Sequence, residues 1–186
     1  YMPCTAEAED GPWSMSGTFS NFFGEQTASA GTYLTLPMTV SAPGSGPDVR
    51  AAVEAVSLGY SLDRSLDHNT DEDELRLALR THAAVPAWKG KSFSVRFRVG
   101  DKPRGPELTA EMPFEGYSER SQVMKIYDPE VKKALMAKRP VSFSLALPGG
   151  AVLDSGEISG FAAMHQRSLD LMEGEIERGT AQQCGQ

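Results

Sequence analysis

The sequence is poor in cysteine: its 186 residues include two, Cys4 and Cys184, which lie almost at its two ends. A disulfide between them would close nearly the whole chain into one covalent loop and would require an oxidising compartment. The alternative is a pair of free thiols, which many cytosolic proteins carry. Both cysteines have small or polar neighbours, whereas a core thiol sits among apolar ones. We therefore predict a bridge that pins two polar tails, in a protein that is periplasmic or secreted.

Long apolar runs and an excess of basic residues are also absent. No run approaches the ~20 apolar residues that a membrane-spanning helix needs, so we expect no membrane span. The 25 acidic residues against 18 basic ones give a net charge of -7, which repels phosphate backbones and anionic lipid and makes nucleic acid an unsuitable partner. The start of the chain lacks the basic and apolar regions of a signal peptide. Export would therefore imply that a signal peptide has been removed.

Residue patterns that support catalysis are missing. The three histidines lie far apart in sequence, without the i, i+2 or i, i+4 spacing of a local zinc site; they are His68, His82 and His165. There is no G-X-S-X-G nucleophile motif, and Gly44-Ser45-Gly46 lacks the lysine of a phosphate-binding loop. Paired carboxylates for glycoside cleavage stay open, because any acidic protein contains candidates. The sequence thus favours a non-enzymatic role and leaves catalysis undecided.

The acidic segment from Asp63 to Glu74 is the one candidate for a metal. Asp67, Asn69 and Asp71 place oxygen side chains at alternate positions, as in a calcium-binding loop. Counted from Asp67, however, the sixth position is Glu72 where such a loop needs glycine, and the twelfth is Ala78 where it needs a bidentate glutamate. We favour a solvated hairpin loop without a cofactor, and keep calcium or small-ligand binding as the alternative.

Four arginines form the other candidate site. Arg96 and Arg98 alternate with apolar residues on one predicted strand, and Arg76 and Arg80 do so on another. If these two strands pair, the four guanidinium groups would share one face and could bind an acidic partner. The alternative is that the four arginines only make the solvent-exposed face of a sheet soluble. Tyr117 and Tyr127 are further candidates for contact with a partner.

Alternation of apolar and polar residues predicts a mainly β protein. The clearest strand is 93–99, and further strands are expected at 13–20, 31–40 (broken at Pro37), 56–62, 75–79, 107–112, 122–127, 141–147 and 151–158. The segment from Val49 to Val56 fits either a short helix that passes into a strand or one long strand. Asp128-Pro129-Glu130 is typical of a helix start. A last helix should follow Ser159-Gly160, with an apolar stripe of Phe161, Met164, Leu171, Met172 and Ile176.

These elements predict an α+β fold, mainly β. We expect an antiparallel sheet or sandwich with a short helix near residues 129–138 and a C-terminal helix packed on it. There is no internal repeat or linker. We expect residues 1–186 to form a single globular domain with short polar tails.

Residues 122–172 run through a strand, the helix start Asp128-Pro129-Glu130-Val131, the strand Val141-Ser142-Phe143-Ser144-Leu145 and the helix entry Ile158-Ser159-Gly160-Phe161. This succession resembles the invasion-associated locus B family of exported bacterial proteins, in which a strand also runs into a Ser-Leu-X-Gly-Phe helix start. The family's internal cysteines are missing here, and the N-terminal half shows no match. The resemblance implies an exported, periplasmic protein and carries over no catalytic residue.

Three functions follow as hypotheses. The first is an exported, non-enzymatic domain that binds another protein or an envelope component. The second is a calcium- or small-ligand-binding module that uses the acidic segment. The third is an enzyme of a family that the sequence does not reveal.

Overall fold

The computed structural model describes residues 3–111 and 120–184, with the backbone alone for residues 104–111. Within these residues the chain forms eleven β-strands and three α-helices. The strands are β1 (Cys4–Asp10), β2 (Trp13–Phe22), β3 (Glu25–Leu36), β4 (Met38–Ala42), β5 (Val53–Ser65), β6 (Thr70–Thr81), β7 (Ser92–Val99), β8 (Lys102–Glu111), β9 (Ser121–Ile126), β10 (Val141–Ala146) and β11 (Val152–Ser155). The helices are α1 (Val49–Ala52), α2 (Pro129–Met136) and α3 (Phe161–Thr180).

The strands form two sheets. One has the order β1-β2-β3-β5-β6-β9 and the other β4-β11-β10-β7-β8. The pairs β1–β2, β2–β3, β7–β8, β7–β10, β10–β11 and β4–β11 are all antiparallel. The predicted α+β class, mainly antiparallel β with a short helix near 129–138 and a C-terminal helix on a sheet, is confirmed.

The chain divides into two compact units that interleave in sequence. The first comprises Tyr1–Leu34, Gly59–Leu75 and Gly160–Gln186, and the second comprises Thr35–Leu58 and Arg76–Ser159. The expectation of one domain over residues 1–186 stays a prediction. Each unit has its own buried side chains and is described by itself below.

Helix α3 packs on β1 and β2 in the first unit, and two glycines let it come close. A Cβ atom at Gly17 of β2 would overlap the backbone of α3 at Leu171 and Met172. A Cβ atom at Gly179 of α3 would overlap the ring of Phe19. The helix therefore meets the strand through backbone as well as side chains, which buries Met172 completely.

The predicted disulfide between Cys4 and Cys184 is confirmed. Their Cα atoms lie 5.0 Å apart, within the range of ordinary bridges. Cys4 is 2% exposed and belongs to an apolar cluster with Phe19, Ala28 and Met172. The prediction of a polar N-terminal tail is wrong, because residues 4–10 form β1 and pair with β2 along their whole length.

The buried stripe of α3 differs from the predicted one. Five residues at helical spacing are buried: Phe161, His165, Ser168, Met172 and Glu175. Three of these are polar, and hydrogen bonds make the burial of Ser168 and Glu175 tolerable. Thr32 Oγ1 lies 3.2 Å from Ser168 Oγ, and the Glu175 carboxylate accepts bonds of 2.9 and 3.0 Å from Arg178.

The second unit is built on β7 and β10, whose inward side chains match the prediction. Phe143 lies opposite Phe97, and Leu145 lies opposite Val95, with all four side chains buried. Helix α2 begins as predicted, because the Asp128 side chain accepts a 3.0 Å bond from Glu130 N–H. In the Val49–Val56 segment the short helix passing into a strand is the alternative observed, as α1 followed by β5.

We predict that reduction of the disulfide lowers the free energy of unfolding by about 2–5 kcal/mol, because the bridge restricts the unfolded chain over nearly its full length. Urea denaturation with and without reductant measures this. The double variant Cys4→Ala/Cys184→Ala is the control and should not respond to reductant. An unchanged unfolding midpoint of the wild-type protein in reductant would contradict the prediction.

We predict that Gly17→Ala destabilises the protein by about 1–3 kcal/mol, because the added methyl group must displace the backbone of α3. Gly174→Ala is the matched control on α3 itself, where a Cβ atom meets nothing within 4 Å. This change should stabilise by up to about 1 kcal/mol through helix propensity. Equal effects of the two substitutions, measured by urea denaturation, would sink the close-packing argument.

Candidate functional site: the hydroxyl face of the first unit

The first unit covers one side of its strands with α3 and presents small hydroxyl side chains on the other. Trp13, Met15 and Phe19 of β2 are buried, so the even-numbered residues between them point away from the helix. In the register of β2 with β3, Thr18 lies opposite Ser29 and Ser20 opposite Thr27. We call the surface that points away from α3 the hydroxyl face.

Strands β5 and β6 extend this face. Tyr60 contacts the rings of Phe161 and His165, and Arg64 bonds Glu173 of α3 at 2.9 Å. Side chains alternate along a strand, so the odd-numbered residues from 61 to 65 point to the side opposite α3. These are Ser61, Asp63 and Ser65.

On β6 the same alternation holds. Asp73 accepts a hydrogen bond from the Tyr60 hydroxyl, and Asp71 pairs with Arg64 at 2.9 Å, so both lie on the helix side. Burial, and after it the bond to Asp73, raises the pKa of Tyr60. Thr70 and Glu72, which alternate with these aspartates, belong to the hydroxyl face.

A cleft of about 480 Å³ opens on this face. This volume lies in the range of small-molecule sites. Its lining comes from four strands and is rich in hydroxyl groups: Thr18, Ser20, Thr27, Ala28, Ser29, Asp63, Arg64, Ser65, Thr70 and Glu72. Ser20 and Thr27 already bond each other across the strands at 2.9 Å.

The cleft is negatively charged. Asp63 and Glu72 are exposed carboxylates, whereas the guanidinium of Arg64 is committed to Asp71 and Glu173, each at 2.9 Å. The outward positions of β1, β2, β3, β5 and β6 in this unit carry no lysine or arginine. They do carry further acids, namely Glu7, Glu9, Glu25 and Glu74. A ligand with positive charge is therefore favoured over an anion.

Aromatic side chains lie on the same face as the hydroxyl groups. Tyr33 of β3 is 46% exposed and its ring lies against Gly59, where an added Cβ atom would be 3.8 Å away. Phe22, at the end of β2, is 56% exposed. Apart from these rings and the glycines, the outward positions of β2 and β3 are hydroxyl-bearing or acidic.

The turn after Phe22 is unusual for its sequence. Phe23 and Gly24 join β2 to β3, and both have positive φ, 51° and 85°, as a two-residue type I′ turn requires. Asparagine or glycine is the usual residue at the first position, and a bulky side chain in the left-handed region is strained. The Phe23 side chain is nevertheless 94% exposed and contacts only the edge of Phe22 among the ring pairs described, at 4.4 Å between centroids.

The predicted calcium residues lie around the turn between β5 and β6 and are partly engaged. Asp67 accepts a 2.7 Å bond from Gln26 N–H, and Asp71 is paired with Arg64. Asn69 has a positive φ of 52° and shapes the turn. Among residues 3–111 and 120–184, no group of three or more His, Cys, Asp or Glu side chains is placed to hold a metal ion. The predicted loop is also shorter than expected, since the strands continue to Ser65 and restart at Thr70.

The four arginines do not come together as the pairing hypothesis requires. Arg76 and Arg80 lie on β6 and Arg96 and Arg98 on β7, and these strands belong to different sheets. Arg80 pairs with Glu54 at 3.3 Å, and Arg98 bonds Ser144 at 2.8 Å. The sequence left open whether these two strands pair, because a strand that alternates arginine with apolar residues does not specify its partner.

The remaining candidates are scattered. His165 is buried in α3, consistent with the structural role expected for it, and His68 and His82 are exposed. Tyr127 is 80% exposed, while Tyr117 lies outside the described residues. The hydroxyl face itself was missed from the sequence. Its signal is the run of alternate serine and threonine residues in β2, which became informative once the partner strands were known.

Comparison with models of protein families, with curated proteins and with solved structures finds no match for this chain. In the part of the chain that the structure describes, no helix is long and apolar enough to span a membrane.

We predict that Phe23→Asn stabilises the protein by about 1 kcal/mol, because asparagine tolerates the left-handed region that phenylalanine does not. Thermal or urea denaturation measures the gain. Phe22→Asn is the matched control. Phe22 precedes the turn in the extended strand and should gain nothing from the exchange. A loss of stability in Phe23→Asn would show that the Phe23 ring contributes to folding rather than to a surface.

Proposed function

We infer that this chain is an exported bacterial binding domain, periplasmic or secreted, which holds an envelope component or another protein without catalysis. The observation that carries the proposal is the Cys4–Cys184 bridge. Bridges of this kind persist in oxidising compartments and are rare in the cytosol. The resemblance of residues 122–172 to the invasion-associated locus B family supports the same compartment and a bacterial source.

The location of the bridge strengthens this argument. Cys4 is buried beneath α3 with Phe19 and Met172, so the disulfide is part of the packed core rather than an exposed pair of thiols. A bridge with a buried cysteine has a structural role, because a redox-active pair would need access to a reaction partner.

The binding role is supported by the hydroxyl face. Its cleft offers hydroxyl groups and two exposed carboxylates, which are groups that orient a polar ligand by hydrogen bonds. Both a protein partner and an envelope component could offer such polar groups to the face.

The proposal predicts that the two cysteines are joined in the protein isolated from its native cell. Alkylation of the intact protein before any reductant is added should leave its mass unchanged, and alkylation after reduction should add two groups. The mass of a Cys184→Ala variant, which keeps one thiol, calibrates the reaction under denaturing conditions. Two thiols that react without reductant would overturn the assignment to an oxidising compartment.

A further inference from the structure

We propose that the hydroxyl face binds an oligosaccharide that carries free amino groups. The inference rests on the proposed binding function and names the ligand class of that same site. Three properties of the face carry it: its hydroxyl rows, its exposed carboxylates Asp63 and Glu72 and its exposed aromatic rings.

The paired serine and threonine side chains of the face can form hydrogen bonds with the hydroxyl groups at the edge of a sugar ring. Thr18 and Ser29 form one cross-strand pair and Ser20 and Thr27 the next. Each hydroxyl both donates and accepts hydrogen bonds, as the hydroxyl groups of a sugar do. The carboxylates of Asp63 and Glu72 add acceptors that form stronger, charge-assisted bonds. An apolar ligand would leave most of these groups unsatisfied.

The exposed aromatic rings can stack against the flat side of a sugar ring, which presents C–H groups. Tyr33 Cδ2 would lie 3.8 Å from a Cβ atom added at Gly59, and the Tyr33 side chain remains 46% exposed. A sugar ring stacked on the exposed part of this ring would bury apolar area while its hydroxyl groups stay at the edge. From Ser29, the lining residue of β3 nearest to Tyr33, the strand runs about 13 Å to Tyr33, so a ligand that reaches both the cleft and the ring must contain more than one sugar unit.

The charge selects an amino sugar over a neutral one. Asp63 and Glu72 line the cleft, and the outward positions of the surrounding strands bear acids without a lysine or arginine. An ammonium group on the sugar would pair with these carboxylates, whereas an N-acetylated or plain sugar could not. One charge-assisted contact corresponds to about a tenfold gain in affinity or more, and added salt should reduce it.

The test is calorimetric titration of the oxidised full-length chain at mildly acidic pH, where sugar amines are protonated. The probes are a glucosamine hexasaccharide, the N-acetylglucosamine hexasaccharide, a β-linked glucose hexasaccharide and hexalysine. We expect the glucosamine hexasaccharide to bind at least about tenfold more tightly than the other two sugars, and its affinity to fall with salt.

Two variants of the face and two controls locate the site. Asp63→Asn should reduce the preference for the amino sugar, because Glu72 remains, and Tyr33→Ala should weaken the binding of all three sugars. Tyr127→Ala and Glu157→Gln change an exposed tyrosine and an exposed carboxylate of the second unit and should leave binding unchanged. Thermal melts of each variant check that it folds. Asp63→Asn keeps the size of its side chain and preserves the test if Tyr33→Ala does not fold.

The outcomes separate this inference from the proposed function. Suppose that hexalysine binds as tightly as the amino sugar and that Tyr33→Ala changes neither affinity. This result would overturn the proposal of a sugar ligand and would indicate a basic protein partner on the same face. Absence of binding by every probe, or binding that Asp63→Asn and Tyr33→Ala do not change, would overturn the inference. The alkylation experiment would still decide the exported character of the protein by itself.

Discussion

The first unit depends on the approach of α3 to β2. Gly17 on the strand and Gly179 on the helix remove the two side chains that would otherwise hold the elements apart. Backbone then meets backbone, and Met172 and Phe19 fill the space on either side. Because packed interiors tolerate little extra volume, this contact fixes the position of α3 along its axis. The disulfide can form only if that position is kept, since Cys184 lies just beyond the end of α3.

The same contact explains why the opposite face is polar. Once α3 covers one side of β1, β2 and β3, the residues on the other side have no helix of this unit to pack against, and alternation places serine and threonine there. A sheet with one covered and one solvated face is the usual outcome for antiparallel strands. In the first unit, the side of the sheet that packs against α3 therefore provides stability. The opposite side provides a hydrogen-bonding surface.

The sequence predicts the strands and helices that have a strong local pattern. It does not predict which strands pair or which side chains the fold brings together. Alternation located β7 and β10, and the Asp128-Pro129 start located α2, because these signals lie within a few residues. Strand β1 was missed because its inward residues besides Cys4 are Ala6 and Ala8, which favour strands weakly. Whether β6 pairs with β7 could not be read from the sequence, because partner choice depends on the whole topology. The cleft could not be foreseen for the same reason: its lining comes from four strands that only the fold brings together.

The composition of the hydroxyl face argues for a ligand rather than for another sheet. An exposed sheet edge invites pairing with other chains, and charged side chains on edge strands prevent it. Strand β1, at the edge of its sheet, carries Glu7 and Glu9 outward, which serves this purpose. Solubility of the protein, however, does not require an exposed tyrosine beside a glycine. Nor does it require a phenylalanine whose backbone lies in the left-handed region. Strained and exposed aromatic residues persist where they contribute to something other than stability. Both belong to the β2–β3 hairpin that carries the hydroxyl rows, Phe23 at its turn and Tyr33 further along β3, which is the arrangement expected if the face is shaped by what it binds.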